Sequence, residues 1–126
     1  MLRYVERKTG PLHRGPAWIG RVKKSRSGRT IYFNGRALKR AVGGMIRGNY
    51  CDLETDEEYW VSGVKKNGQD RHWAGGGKIR VARDAVEEYL ALIGEDELDP
   101  PRYEIFDPVP TDPARFHDLE NEPLEP

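Results

Sequence analysis

RTIYFNGRALKRA, residues 29–41, is the stretch that decides how this chain folds. Thr30, Ile31, Tyr32 and Phe33 are β-branched or aromatic, which suits a pleated, half-buried surface, and Ile31 and Phe33 share one face of a strand. Asn34-Gly35 follows at once. That pair tolerates the two positive φ angles of a type I′ turn, so a tight hairpin into residues 36–41 is predicted. Immediately upstream, AWIGRVKKS (17–25) mixes Trp18, Ile19 and Val22 with outward-facing bases, as a half-exposed strand does. Ser25-Arg26-Ser27-Gly28 reads as the turn that joins the two.

Further strands are expected at NYCDLE (49–54), EYWVSGVKK (58–66) and KIRVA (78–82). In the second, Tyr59 and Val61 fall on one face and Trp60, Ser62 and Val64 on the other. Asn67-Gly68 marks another turn. A helix should then close the domain, with Asp84 as N-cap and Glu87 three residues on. Val86, Tyr89, Leu90 and Ile93 form its apolar stripe, and Gly94 stands at its C′ position. The expected fold is mainly β: a small curled, mostly antiparallel sheet of five or six strands, in the class of an SH3-like or OB-like barrel, with one C-terminal helix.

Three regions follow. Residues 1–16, broken by Gly10-Pro11 and Gly15-Pro16, read as a basic lead-in. Residues 17–94 form the barrel domain with its closing helix. Residues 95–126 hold seven of the nine prolines and read as an acidic Pro-rich extension. Within it, RYEIFDPVP (102–110) is apolar enough to dock in extended form, whereas disorder is expected beyond Asp112.

A formal net charge of zero conceals two opposite halves. Residues 1–50 carry thirteen Lys/Arg against Glu6 alone, and residues 95–126 carry eleven Asp/Glu against Arg102 and Arg115. A basic region of that density attracts phosphate backbones, and an acidic segment on the same chain competes for it. There is no long apolar run, so neither a membrane span nor an export signal is expected. The single cysteine, Cys51, cannot close an internal disulfide and fits a reducing, cytoplasmic compartment.

The first candidate site is a nucleic-acid surface. Arg21, Lys23, Arg29, Arg36, Lys39, Arg40 and Arg47 come from the two N-terminal hairpins and would neutralise phosphates, while Tyr32 or Trp73 would stack on bases. Trp18 and Trp60 are expected in the core, because so small a domain has few Leu, Ile and Val to fill it. The alternative is a protein-interaction module (adaptor, inhibitor or immunity-type regulator) that uses Tyr103, Ile105, Phe106 and Phe116 as anchors. Catalysis is not expected. Asp70, Arg71 and His72 could supply an acid–base pair beside the run Gly75-Gly76-Gly77, but that run lacks both the GxGxxG spacing and the P-loop Lys-Ser/Thr ending. His13, His72 and His117 are too scattered for a metal site with one cysteine. No cofactor is expected, and no oligomeric state is implied.

GPAWIGRV (15–22), SGRTIYF (27–33) and IRGNYCDLETDEEYWVSGVKKNGQDRHWAG (46–75) together resemble a family of small uncharacterised bacterial proteins. The resemblance covers residues 15–94 and omits the acidic extension. It implies a bacterial or phage origin and a shared fold, and it supplies no activity, cofactor or binding residue. No GDG…N thiamine-diphosphate motif accompanies it.

Overall fold

Nine strands form one curled sheet in the computed structural model, which describes residues 1–8, 15–41, 48–68, 70 and 77–120. They are β1 (Leu2–Arg7), β2 (Ala17–Arg21), β3 (Lys23–Lys24), β4 (Thr30–Phe33), β5 (Arg36–Arg40), β6 (Tyr50–Asp52), β7 (Glu58–Gly63), β8 (Ile79–Ala82) and β9 (Tyr103–Phe106). A 3-10 turn, Arg83–Ala85, leads into helix α1 (Val86–Ile93), and a second, Pro113–Phe116, leads into α2 (His117–Glu120). Arg47, Arg71, His72 and Trp73 lie outside the described residues.

The predicted hairpin is present. Phe33 faces Arg36 across a two-residue turn, with Asn34 at φ 51° and Gly35 at φ 77°, both in the left-handed region that a type I′ turn requires. What curls the sheet is the single run of chain that contains β2 and β3. Its start pairs with β1 (Val5 with Trp18), and its end pairs with β4 (Lys24 with Ile31). The sheet order is β3-β4-β5-β6-β7-β1-β2-β8-β9, so these two pairings bring the sheet back on itself as a half-barrel.

Strand alternation then sorts the side chains. Val5, Trp18, Val22, Ile31, Phe33, Leu38, Tyr59 and Val61 point inward and form one buried cluster. Gly20 is required there, since a Cβ would sit 2.5 Å from Phe33 Cε1. On the outer face of β1, β2 and β8, Tyr4, Ile19, Ile79 and Val81 pack in one cluster with Tyr89 of α1, and Tyr103 of the edge strand β9 extends it. Tyr89 of α1 and Tyr103 of β9 meet there edge to face, their hydroxyls 2.9 Å apart. Among the described residues, no helix is long and apolar enough to cross a membrane.

The structure departs from the sequence reading in five places. Residues 2–7 are not a lead-in: β1 is a central strand, paired on both edges, with β2 and β7. Its charges are tolerated because Glu6 accepts from the Tyr4 hydroxyl and pairs with Lys8 at 2.8 Å. Among the described residues the sheet has nine strands rather than five or six, and β8 pairs in parallel with both β2 and β9. Asp84 does not cap a helix, because it falls inside the 3-10 turn and Ala85 occupies the N-cap without a side-chain bond. Gly94 does terminate α1, left-handed at φ 74°, with its N–H donating to Leu90 O.

The last two departures concern aromatic side chains. Trp60 is 41% exposed, on the face of β7 opposite to buried Tyr59 and Val61. Residues 113–120 are ordered on the outer face of the hairpin, where Phe116, fully buried, packs against Tyr32 and Ala37. The acidic extension therefore runs from β9 across the turn of the hairpin and up its back as a strap.

Candidate functional site

The strap is fastened at the turn. Asn34 Oδ1 accepts from the Val109 N–H at 2.8 Å, and Thr111 Oγ1 accepts from the Gly35 N–H at 2.6 Å. Arg115 forms a two-pronged pair with Glu54, both contacts 2.8 Å, and Tyr32 donates its hydroxyl to Glu120. Burial, with help from Glu120, pushes the Tyr32 phenol up to about 12.

At the far end of the same strands lies a group of cations. Lys23 and Lys24 come from β3, Arg26 and Arg29 from the turn that follows it, and Lys39 and Arg40 from the end of β5. Register holds them together: Lys23 lies opposite Tyr32, and Lys39 opposite Thr30. Among the described residues no carboxylate pairs with any of these six. A concavity of about 620 Å³ opens between this end and the strap. Lys24, Arg26, Arg29 and Lys39 line one side of it, with the Ser25 and Ser27 hydroxyls; Pro113, Ala114, His117 and Glu120 line the other. Clustered cations beside low-dielectric protein focus a positive potential that concentrates anions.

Of the residues expected at a nucleic-acid surface, Arg29 and Lys39 line this concavity, and Lys23 and Arg40 lie beside it on β3 and β5. Arg40 lines a separate hollow of about 350 Å³ with Arg3, Lys24 and Tyr50. Arg21 and Arg36 are elsewhere and are engaged. Arg21 pairs with Glu88 at 3.0 Å and Asp84 at 3.7 Å, and Arg36 with buried Asp52 at 2.8 Å. Tyr32 borders the concavity yet is only 6% exposed, its ring packed against Phe116 rather than presented for stacking. Lys24, Arg26, Pro113, Ala114 and Glu120 are not singled out by the sequence as site residues. Lys24 and Arg26 were visible in the charge count, but nothing local marked Pro113, His117 or Glu120 as their neighbours.

Of the alternative anchors, Tyr103 and Phe116 are buried, Phe106 packs edge to face on Phe33, and Ile105 alone is open, at 46% exposure. Asp70 is half-buried, with Oδ1 accepting from the Lys65 N–H, and its carboxyl is raised by burial. Arg71, His72 and the glycines at 75 and 76 lie outside the described residues, as do Trp73 and Arg47. Cys51 is half-buried and donates to Asp56 Oδ1 at 3.1 Å; burial and then that acidic neighbour push its thiol up to about 12. No family model, no curated protein and no solved structure matches this chain.

Proposed function

We propose that this chain is a non-enzymatic nucleic-acid-binding protein that holds phosphates at the open end of β3, β4 and β5. The observation that carries this reading is the convergence of Lys24, Arg26, Arg29 and Lys39 on one concavity, with Lys23 and Arg40 on the adjoining strand ends, none of the six with a carboxylate partner among the described residues. Like charges gathered in this way repel one another, which costs stability, and a bound polyanion relieves that repulsion. Glu120, on the wall of the same concavity, is the strap's internal competitor. It weakens ligands held by charge alone.

A protein-interaction module built on the extension is the second reading. It would require Tyr103 and Phe116 to leave their own core, and of the four anchors only Ile105 is exposed. That favours the first reading.

The test is fluorescence anisotropy of the full chain with a labelled oligonucleotide over a salt series. If the six cations each contact a phosphate, log Kd against log salt should have a slope of about 4 to 5 in magnitude. Replacing Lys24, Arg29 and Lys39 together by Gln should roughly halve that slope. Absence of binding at low salt, by the native chain and by Glu120→Gln alike, would overturn the reading.

A further inference from the structure

The concavity beneath the strap is two-sided, and its two sides differ in chemistry. Lys24, Arg26, Arg29 and Lys39 supply cationic donors on one side. Pro113 and Ala114 supply an apolar surface on the other, His117 a flat ring, and Glu120 a carboxylate. A bare phosphate gains nothing from that second side and is repelled by Glu120. A ligand with a phosphate at one end and a planar ring with neutral donors at the other matches both sides.

We infer that the concavity takes a single nucleotide unit, its phosphate against Lys24, Arg26, Arg29 and Lys39 and its base and ribose against Pro113, His117 and Glu120. The inference rests on the nucleic-acid reading and sharpens it to unpaired nucleotides. A volume of about 620 Å³ is in the range of small-ligand pockets and suits one nucleotide. A duplex keeps its bases stacked inside and has only its phosphates to offer here; a single strand can turn a base into the hollow.

The carboxylate then has a definite use. Glu120 Oε1 already accepts from the Tyr32 hydroxyl, which fixes the group, and a second oxygen remains to accept from a ribose hydroxyl or a base amino group. Its charge also drives the phosphate to the opposite side, so it sets the direction in which the unit lies. The wall is built in advance rather than assembled on binding. Phe116 is fully buried, and the hydrogen bonds at Gly35 and Val109 tie the strap to the hairpin turn. Pre-organisation of this kind lowers the ordering cost of binding.

The unit could come from a free nucleotide or from a strand, and competition separates the two. A labelled ten-nucleotide single strand is displaced from the full chain by the same sequence as a duplex, by nucleoside 5′-monophosphates and by inorganic phosphate, all at one ionic strength. The single strand should bind at least about tenfold tighter than the duplex, and a monophosphate should compete at least about tenfold better than inorganic phosphate. Glu120→Gln and His117→Ala, both near the surface, should shrink these two ratios while leaving the affinity for inorganic phosphate equal or higher.

Equal binding of strand and duplex, together with equal competition by monophosphate and inorganic phosphate, would overturn the inference and leave phosphate-only binding standing. Binding of a monophosphate with no binding of any strand would support the inference, with a free nucleotide as the source, and defeat the nucleic-acid reading. If no probe binds at low salt, both fall.

Discussion

The two ends of the β4–β5 hairpin carry comparable numbers of charges and treat them in opposite ways. At the turn, Arg36 meets Asp52 at 2.8 Å, Arg115 meets Glu54 at 2.8 Å, and the strap supplies hydrogen-bond partners to Asn34 and Gly35. At the open end, Lys23, Lys24, Arg26, Arg29, Lys39 and Arg40 have no such partners among the described residues. Three positions along one strand thus separate Arg36, which belongs to the architecture, from Lys39, which does not. Charge at the turn holds the hairpin, the β6–β7 connection and the strap in one arrangement. Charge at the open end works against the fold unless something anionic arrives.

The strongest way to break this comparison is to remove Asp52. Its side chain is 1% exposed; Oδ2 accepts from Arg36, and Oδ1 accepts from the N–H groups of Glu54 and Thr55 at 2.8 and 3.2 Å. Asp52→Ala leaves Arg36 without its partner and two turn amides without an acceptor. Arg36 still reaches water, so the loss should sit at the lower end of the usual range for a broken buried pair, about 3 kcal/mol. Urea denaturation monitored by tryptophan fluorescence measures it. A loss below about 1 kcal/mol would mean that the turn-end pair is no more structural than a surface contact.

The same contrast explains what sequence could and could not reveal. The hairpin at 30–40 was legible because its code is local: alternating β-formers, then Asn34-Gly35. Strand β1 was not, because its neutralising partners stand on other strands or require the strand itself. Arg7 finds Glu57 in the connection that leads into β7, and Glu6 is satisfied by Tyr4 and Lys8 only once the chain is extended and buried. The strap was hidden in a similar way. Phe116 is one anchor in acidic, Pro-rich surroundings, and its fastenings come from Asn34, Gly35 and Glu54, more than sixty residues away. Half of the candidate site suffered the same limit. In a charge count Arg36 and Lys39 are alike, and only the fold gives one of them Asp52.

A second, smaller effect sharpens the comparison where the strap passes from one end to the other. Tyr32 donates to Glu120 only while protonated, and its folded phenol stands at about 12 against an ordinary value of 10.0. A group raised on folding contributes stability that is complete below its unfolded value and is lost as pH rises through its folded one. The strap should therefore hold up to about pH 10 and loosen between about pH 10 and 12. Burial also raises Tyr59 and Tyr89, so the native chain alone cannot isolate this contribution. Thermal midpoints of native and Tyr32→Phe protein, taken from pH 8 to 12, can. The variant should lose less stability over that window, and parallel curves would show that the Tyr32–Glu120 bond does not fasten the strap.

The smallest expected effect is the most diagnostic, because its sign distinguishes the two ends. Lys24→Gln with Lys39→Gln removes two of the unpaired cations without touching a side-chain hydrogen bond or an ion pair among the described residues. Surface substitutions of this kind change stability by about 0.5 kcal/mol or less. Here the change should be a gain, since two contributors to like-charge repulsion are gone. Salt gives an independent check. Screening at about 0.15 M ionic strength acts over roughly 8 Å, a range that covers neighbouring strands. The native protein should therefore become slightly more stable as sodium chloride is added from low salt, and the double variant should respond less. If the variant instead loses more than about 1 kcal/mol, or if added salt destabilises the native chain, then the open-end cations are structural. The distinction between the two ends, and the anion site built on it, would go with them.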